Sequence, residues 1–342
     1  MATLQSKYNQ FIKNIILTRE SDEYKKARDK DDIVTPKVED ALNDAGYHVQ
    51  ARFLQGSLAS NIAIKPLDGD YDIDRAVVIT KESSPENPVD VKKIVRDVLI
   101  KHGFKEPKIK KPCVTADYKN ENYHIDFPIY RIDENQNYQL AVGKEFSDEN
   151  NREWANSEPK KLKEWIASLS IPKEITDDER SQYYRLVRYL KRWRDFVYTN
   201  EVERKKVYSI ALTIMVKESF SPCIDNDGKV NDNQALIDTL TNILKDYKYF
   251  IPASNGYEVH VNLPVTPYSD TFQKNGETVG TLLRKRMQYL LDALNETNDM
   301  SSLKKQCEKL RQYFGDDFPE SEDEPTRDSS RSAGLVGVSN GA

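Results

Sequence analysis

Gln55-Gly56-Ser57-Leu58, followed after a short gap by Asp70-Tyr71-Asp72-Ile73-Asp74, is the stretch on which the fold of this chain turns. A small Gly-Ser turn stands ahead of closely spaced carboxylates. In an extended strand successive side chains point to opposite faces, so Asp72 and Asp74 project together while Tyr71, Ile73 and the run from Ala76 to Ile79 can pack inward. Gly56 lacks a Cβ and lets the backbone approach a phosphate, and Ser57 offers a hydroxyl and a backbone N–H. The layout suits a triphosphate held with its metal ions. Asp70 with Asp72 is the alternative pair, but Pro66-Leu67-Asp68-Gly69 reads as a loop and the strand after Asp74 favours the later two.

The metal explains the spacing. Mg²⁺ prefers octahedral oxygen coordination, keeps several waters and is held by one or two carboxylates together with substrate phosphates. Two such ions, with Mn²⁺ as a substitute, can stabilise the attacking and leaving oxygens of an in-line displacement. A third carboxylate is expected from Tyr123-His124-Ile125-Asp126-Phe127-Pro128-Ile129-Tyr130, an alternating strand in which Asp126 projects from apolar neighbours. Asp126 is thus the third ligand and the candidate general base. Singly these signals are common, since Gly-Ser is usually an ordinary turn and Asp-x-Asp usually solvated. Their conjunction is not.

Gln55-Gly56-Ser57, Asp72-Ile73-Asp74 and His124-Ile125-Asp126 resemble the active-site motifs of the CD-NTases, bacterial relatives of cyclic GMP-AMP synthase and oligoadenylate synthase. The segment from Trp154 to Trp165, the run Arg188-Tyr189-Leu190-Lys191-Arg192-Trp193-Arg194-Asp195 and the turn Phe314-Gly315-Asp316-Asp317-Phe318-Pro319 extend the resemblance over most of residues 1–320. It implies an α+β fold: a bilobed, polymerase-beta-like nucleotidyltransferase core, a mixed sheet with helices, plus a C-terminal helical domain. The expected boundaries are 1–158 for the catalytic core with its N-terminal helices, 159–318 for the helical domain and 319–342 for a disordered tail. The resemblance also implies that Gln55, Gly56, Ser57, Lys191 and Ser209 bind the nucleotide. Without it, Lys191 reads as a surface lysine and Ser209 as a helix N-cap.

The activity so implied is Mg²⁺-dependent synthesis of a cyclic di- or trinucleotide second messenger, purine-containing such as cyclic GMP-AMP, from ATP and GTP. Its setting would be CBASS anti-phage defence, with a downstream cyclic-nucleotide-activated effector. Some members of the family are conjugated through their C-terminus by a ubiquitin-conjugation-like enzyme, which here would act at Ala342. Two other classes share part of the pattern: a transferase that modifies a macromolecule such as tRNA or protein, and a non-catalytic nucleotide-binding scaffold. The Leu-Lys-x-Trp helix and the Phe-Gly-Asp-Asp-Phe-Pro turn favour the cyclic synthase over the first, and the complete acidic triad speaks against the second.

Composition narrows partners. At 342 residues the chain exceeds the size at which one core usually suffices, so two lobes are expected. Cys113, Cys223 and Cys307 are too few and too scattered for a disulfide framework or a zinc motif. No apolar run approaches a membrane span and no signal sequence opens the chain, which makes the cytoplasm the default. A net charge of −5 argues against a large nucleic-acid surface, and without the zinc motif of the animal relatives no duplex DNA requirement is expected. The basic runs Lys108–Lys111 and Arg284-Lys285-Arg286 read as solvated faces.

Elsewhere, Gln5 to Leu17 has helical periodicity, Pro36 reads as the first turn of a second helix, and Tyr47 to Leu54 alternates as a strand. Asn87-Pro88-Val89-Asp90 opens a helix running to Lys101. Val114 to Tyr118 and Tyr123 to Ile132 read as strands joined across 119–122. Tyr184, Val187, Leu190, Trp193 and Val197 form the stripe of a long helix begun by Asp177-Asp178-Glu179. His124 shares a face with Asp126 and reads as an orienting group. His260 has no supporting carboxylate nearby in sequence and reads as structural.

Overall fold

The computed structural model describes residues 3–69, 71–118, 123–169, 175–245, 247–273 and 275–322. Helices α1 (Leu4–Ile15) and α2 (Asp22–Asp44) precede strand β1 (Val49–Leu54), the one-turn helix α3 (Gly56–Ala59) and the central strand β2 (Tyr71–Thr80). After α4 (Pro88–Lys101) come β3 (Lys108–Ile109), β4 (Val114–Tyr118), β5 (Tyr123–Phe127), β6 (Ile129–Ile132), β7 (Tyr138–Val142) and β8 (Glu153–Asn156), completing an eight-stranded mixed sheet with β1 and β2.

Strand β2 organises this sheet. β5 and β6 run parallel to it in unbroken register, Tyr71 opposite Tyr123 and Val77 opposite Ile129, interrupted only at Pro128, which has no N–H to donate. β1 pairs with β2 antiparallel. Ala76, Val77, Val78 and Ile79 are wholly buried, the continuous apolar run expected of a strand covered on both faces. Ile73, Val77 and Ile79 pack beneath α2 and α4 with Val38, Val91 and Val95. Ala76 and Val78 point the other way, onto Tyr130 and Tyr138. Asp72 and Asp74 continue this second face by parity, away from the two helices.

The remaining elements are α5 (Pro159–Ala167), α6 (Asp177–Val197), α7 (Glu201–Arg204), α8 (Ser209–Ser219), α9 (Asp232–Leu244), the hairpin β9 (Phe250–Ala253) and β10 (Gly256–Val259), α10 (Glu277–Asp299) and α11 (Leu303–Phe314). Helix α6 is their axis. Tyr183, Leu186, Val187, Tyr189, Leu190 and Trp193 are all fully buried around its circumference, which marks a helix surrounded by partners rather than an amphipathic surface one. Its start carries a capping box, Thr176 with Glu179.

Three basic side chains of α6 grip the segment after α3. Arg188 donates to the Asn61 and Ala63 carbonyls at 2.6 and 3.2 Å, Lys191 to Ile62 at 2.8 Å and Arg192 to Lys65 at 2.5 Å. The Gly-Ser turn is therefore anchored to the helical lobe. Hydrogen bonds from basic side chains to backbone carbonyls hold this segment against the helix in a largely dry place.

Several expectations are corrected. Helix α1, grouped from sequence with the catalytic lobe, packs instead on the helical lobe: Tyr8, Phe11 and Ile15 join Tyr189, Phe314 and Phe318 in one core. Pro36 lies inside α2 and does not open a helix. Asp31, one turn earlier, accepts from Thr35 at 2.6 Å and pairs with Arg75 of β2, and Val34, Val38 and Leu42 are buried below. This anchorage on both sides of the proline outweighs the one missing hydrogen bond. His260 does have carboxylates: its Nδ1 lies 2.7 Å from Asp270 Oδ2 and its Nε2 3.4 Å from Glu258 Oε2. Asp270 comes from ten residues away across a chain reversal, so His260 clasps the base of the segment between them. Asp70, the connection 119–122 and the expected disordered tail from residue 323 to Ala342 lie outside the described residues.

Candidate active site

Parallel pairing of β2 with β5 brings the predicted carboxylates into one tile. Asp72 stands opposite His124 and Asp74 opposite Asp126, so all four side chains share the face turned away from α2 and α4. On the far side of β5, Thr115 of β4 stands opposite Asp126 and donates its hydroxyl to Asp126 Oδ1. Lys110 Nζ reaches the same oxygen at 3.4 Å. Asp72, the most exposed of the three, contacts His124 Nε2.

Asp74 is half-buried, set against the Gly-Ser turn. Burial pushes its carboxyl up to about 7, and the nearby Asp126 and Asp72 charges add to the effect, against opposing help from His124 and Lys110. Its Oδ2 rests on the Gly56 backbone, where a Cβ would overlap it, and Gly56 adopts a φ of +70°. The Asp74 carbonyl accepts the Gln55 N–H at 3.0 Å. The Gly-Ser turn and the acidic strand are thus in direct contact, and glycine is required for both reasons.

Lys191 and Ser209 come from the helical lobe to the same place. Lys191 is buried, contrary to the surface lysine suggested by spacing alone; desolvation, and next the Arg194 charge, bring its pKa down to about 7. Ser209 is the first residue of α8, not its cap, which is Tyr208. Its hydroxyl accepts from Arg194 Nη1 at 2.6 Å, while the same nitrogen also donates to the Val207 carbonyl.

Two cavities meet here. The larger, about 570 Å³, is walled by Phe53, Gln55, Tyr130, Glu158, Leu263 and Val265 among others; the smaller, about 490 Å³, by Asp72, Lys110, His124, Arg194, Arg204 and Lys205 among others. Ser57, Lys191 and Ser209 line both. The predicted phosphate-binding residues therefore form the divide between two chambers, each of the size that takes a small organic ligand.

Among the described residues no three His, Cys, Asp or Glu side chains are gathered into a complete metal-ligand set, since Asp72 turns to His124 and Asp126 to Thr115 and Lys110. The donor chemistry nevertheless fits Mg²⁺. The oxygens are hard, and the mutual repulsion that helps raise the Asp74 pKa is what a cation relieves. An ion that takes only one or two carboxylates, with water and substrate phosphates, needs no closed protein cage.

All eight predicted site residues border this region: Asp72 and the nucleotide group line the cavities, while Asp74 and Asp126 adjoin through the sheet. Sequence reasoning missed Arg194, which lies one turn beyond Lys191 on α6 and could have been found from that spacing. It also misread Lys110 as part of a solvated run. Only strand pairing reveals that Lys110 faces Asp126. Arg286, from the other basic run, is likewise half-buried, stacked over the Tyr198 ring at 3.9 Å.

This fold, with a Gly-Ser turn set against strand-borne carboxylates, defines a nucleotidyltransferase, and residues 51–130 match the family model described as "Cyclic GMP-AMP synthase DncV-like, nucleotidyltransferase domain". The chain also superposes on solved CD-NTases. Vibrio cholerae DncV, a cyclic AMP-GMP synthase, matches with a TM-score of 0.70 at 16% identity, over 92% of this chain and 97% of that one. Bradyrhizobium diazoefficiens CdnG, solved in complex with GTP, matches with a TM-score of 0.69 at 16% identity, over 92% and 96%. DncV bound to the linear intermediate pppA(3′,5′)pG matches equally well, at 0.69 and 16% over the same shares. No curated protein sequence matches the chain. The protein is a nucleotidyltransferase whose residues 51–130 resemble the DncV-like domain and whose fold is that of solved CD-NTases.

Proposed function

We propose that the protein joins nucleoside triphosphates into a cyclic di- or trinucleotide, purine-containing such as cyclic GMP-AMP, with Asp72, Asp74 and Asp126 as its catalytic carboxylates. One observation carries this: the two chambers divided by Ser57, Lys191 and Ser209 give room for two nucleotides whose phosphates approach the same acidic strand. Neighbouring structures hold GTP and a linear dinucleotide, which supports NTPs as substrates here.

In this mechanism Ser57, Lys191, Ser209 and Arg194 hold the donor triphosphate in line with a hydroxyl of the second nucleotide. Asp126, fixed by Thr115, accepts that hydroxyl's proton. The oxygen attacks the α-phosphorus, the bond to the β-phosphate oxygen breaks, and pyrophosphate leaves. Mg²⁺ held by Asp72, Asp74 and Asp126 would supply charge stabilisation for the attacking and leaving oxygens. Most of the acceleration comes from positioning and fixed charge, because phosphoryl transfer leaves little covalent chemistry to the protein. A second round on the turned intermediate closes the ring.

The biological reading that accompanies this is a cytoplasmic alarm enzyme of CBASS anti-phage defence, whose product activates a separate effector and whose C-terminus at Ala342 is a substrate for a ubiquitin-conjugation-like enzyme. No helix among the described residues is long and apolar enough to cross a membrane. Incubation of the protein with radiolabelled NTPs and Mg²⁺, followed by phosphatase, tests the chemistry. A phosphatase-resistant product of cyclic mass, absent from the Asp72→Asn, Asp74→Asn double variant, is expected. Label incorporated only when tRNA or protein acceptor is added would instead establish a macromolecule-modifying transferase. Loss of covalent adducts on deleting the last three residues tests the conjugation.

A further inference from the structure

The larger cavity contains none of the three proposed catalytic carboxylates but is lined by two glutamates, of which Glu164 is exposed and Glu158 is not. Glu158 is buried, at 7% exposure, and lines the chamber beside Ser157 and Tyr130. It immediately precedes α5, the position where an acidic side chain ordinarily caps the helix, yet its side chain makes no capping bond. The ion pair at its Oε1 is with Lys161 Nζ at 3.0 Å, from a side chain 62% exposed. A carboxylate withdrawn from water against mostly apolar walls is costly unless hydrogen-bond donors meet it.

We propose that Glu158 is a specificity-determining residue that selects guanine in the larger chamber. This rests on the nucleotide-joining function proposed above. A nucleotide with its phosphates at Ser57, Lys191 and Ser209, on the divide, extends its base into the larger chamber. Guanine alone among the common bases presents two adjacent donors, N1–H and N2–H₂, that match the two oxygens of a carboxylate. Adenine presents N6–H₂ beside the bare acceptor N1, which a carboxylate repels. Phe53 and Val265 of the same cavity supply apolar wall for the base, and Tyr130, fixed by its 3.0 Å hydrogen bond to Gln55, gives that wall a set position.

The test is calorimetric binding of α,β-methylene analogues of GTP, ITP and ATP, in Mg²⁺, to the full chain and to its Glu158→Gln and Glu158→Ala variants, with circular dichroism as a check of folding. ITP keeps N1–H but lacks the N2 amino group. The parent is expected to prefer GTP over ITP by about 10-fold or more, as a site built around a hydrogen bond rejects the analogue lacking it. Both variants should lose about 10- to 100-fold for GTP, erase the GTP-to-ITP gap and change by less than about 3-fold for ATP. Equal loss for all three nucleotides would show a merely structural glutamate, and an unchanged GTP-to-ITP ratio would likewise overturn the assignment while leaving nucleotide binding intact. Absence of binding by any nucleotide to the parent would overturn both this inference and the function on which it rests.

Discussion

Asp74 and Gly56 are in contact across the boundary between the acidic strand and the Gly-Ser turn, with Asp74 Oδ2 filling the space a Gly56 side chain would need. The Gly-Ser turn and the acidic strand are therefore one mechanical unit. The Gly56→Ala variant must both strain a φ of +70°, at about 1–2 kcal/mol, and push Asp74 aside. A displacement of about 1 Å at a reacting centre costs about 100-fold in rate. Activity should fall by at least that factor with only a modest drop in Tm, read by product formation and thermal melting.

Asp74 also gives a pH signature. Its folded pKa of about 7 lies above the ordinary 3.8, so stability is fully present below the ordinary value and is lost as pH rises through 7. The shift of about 3 units corresponds to at most about 4 kcal/mol. In EDTA the Asp74→Asn variant should melt higher than the parent at pH 8 and no higher at pH 4, while being inactive. Equal melting temperatures at pH 8 would show that the Asp74 charge is not strained.

Lys191 should take up a proton when nucleotide binds. With a pKa near 7 in the free protein, it is mostly neutral at pH 8, and a triphosphate beside it restores the ammonium. Calorimetry of nucleotide binding in buffers of different ionisation heat should report uptake approaching one proton at pH 8 and much less at pH 6. The Lys191→Met variant should lose the uptake at pH 8 and bind about 10- to 100-fold more weakly.

Lys92, fully buried on α4, spends its ammonium on three carbonyls, those of Lys110, Lys111 and Gly143, each at 2.8 Å. Burial lowers its pKa to about 8. It staples the turn that carries Lys110 to the end of β7, and Lys110 reaches Asp126. The Lys92→Met variant should lose about 1–3 kcal/mol of stability in denaturant melts, because the Lys110 and Gly143 carbonyls lose this donor while the Lys111 carbonyl keeps the Gly143 N–H, and should lower kcat. Lys110→Met should lower kcat similarly with little change in stability.

The motifs were legible because they are local. Period-2 alternation is written into Tyr71–Asp74 and Tyr123–Phe127, and a strand of either pattern aims its aspartates one way whatever else the chain does. Helix α4 was legible from Asn87 and Pro88 for the same reason. The rule that proline opens a helix fails at Pro36 because the Asp31–Thr35 pair within α2 is held by Arg75, which reaches it only through packing of α2 on β2. Helix α1 was assigned to the wrong lobe because amphipathicity shows that a face is buried and not against what.

Spacing along the chain is enough to place Asp72, Asp74 and Asp126 on strands, to mark the Gly-Ser turn and to order a sheet-rich segment before a helical one. Tertiary structure alone decided that Asp74 stands beside Asp126, that Lys110 faces the site, that His260 meets Asp270, and that two chambers join at Ser57, Lys191 and Ser209. Those relationships depend on strand register and on the basic side chains of α6 gripping carbonyls more than a hundred residues away. Contacts of that separation leave no periodic trace in a single sequence, because either partner alone is an ordinary polar residue.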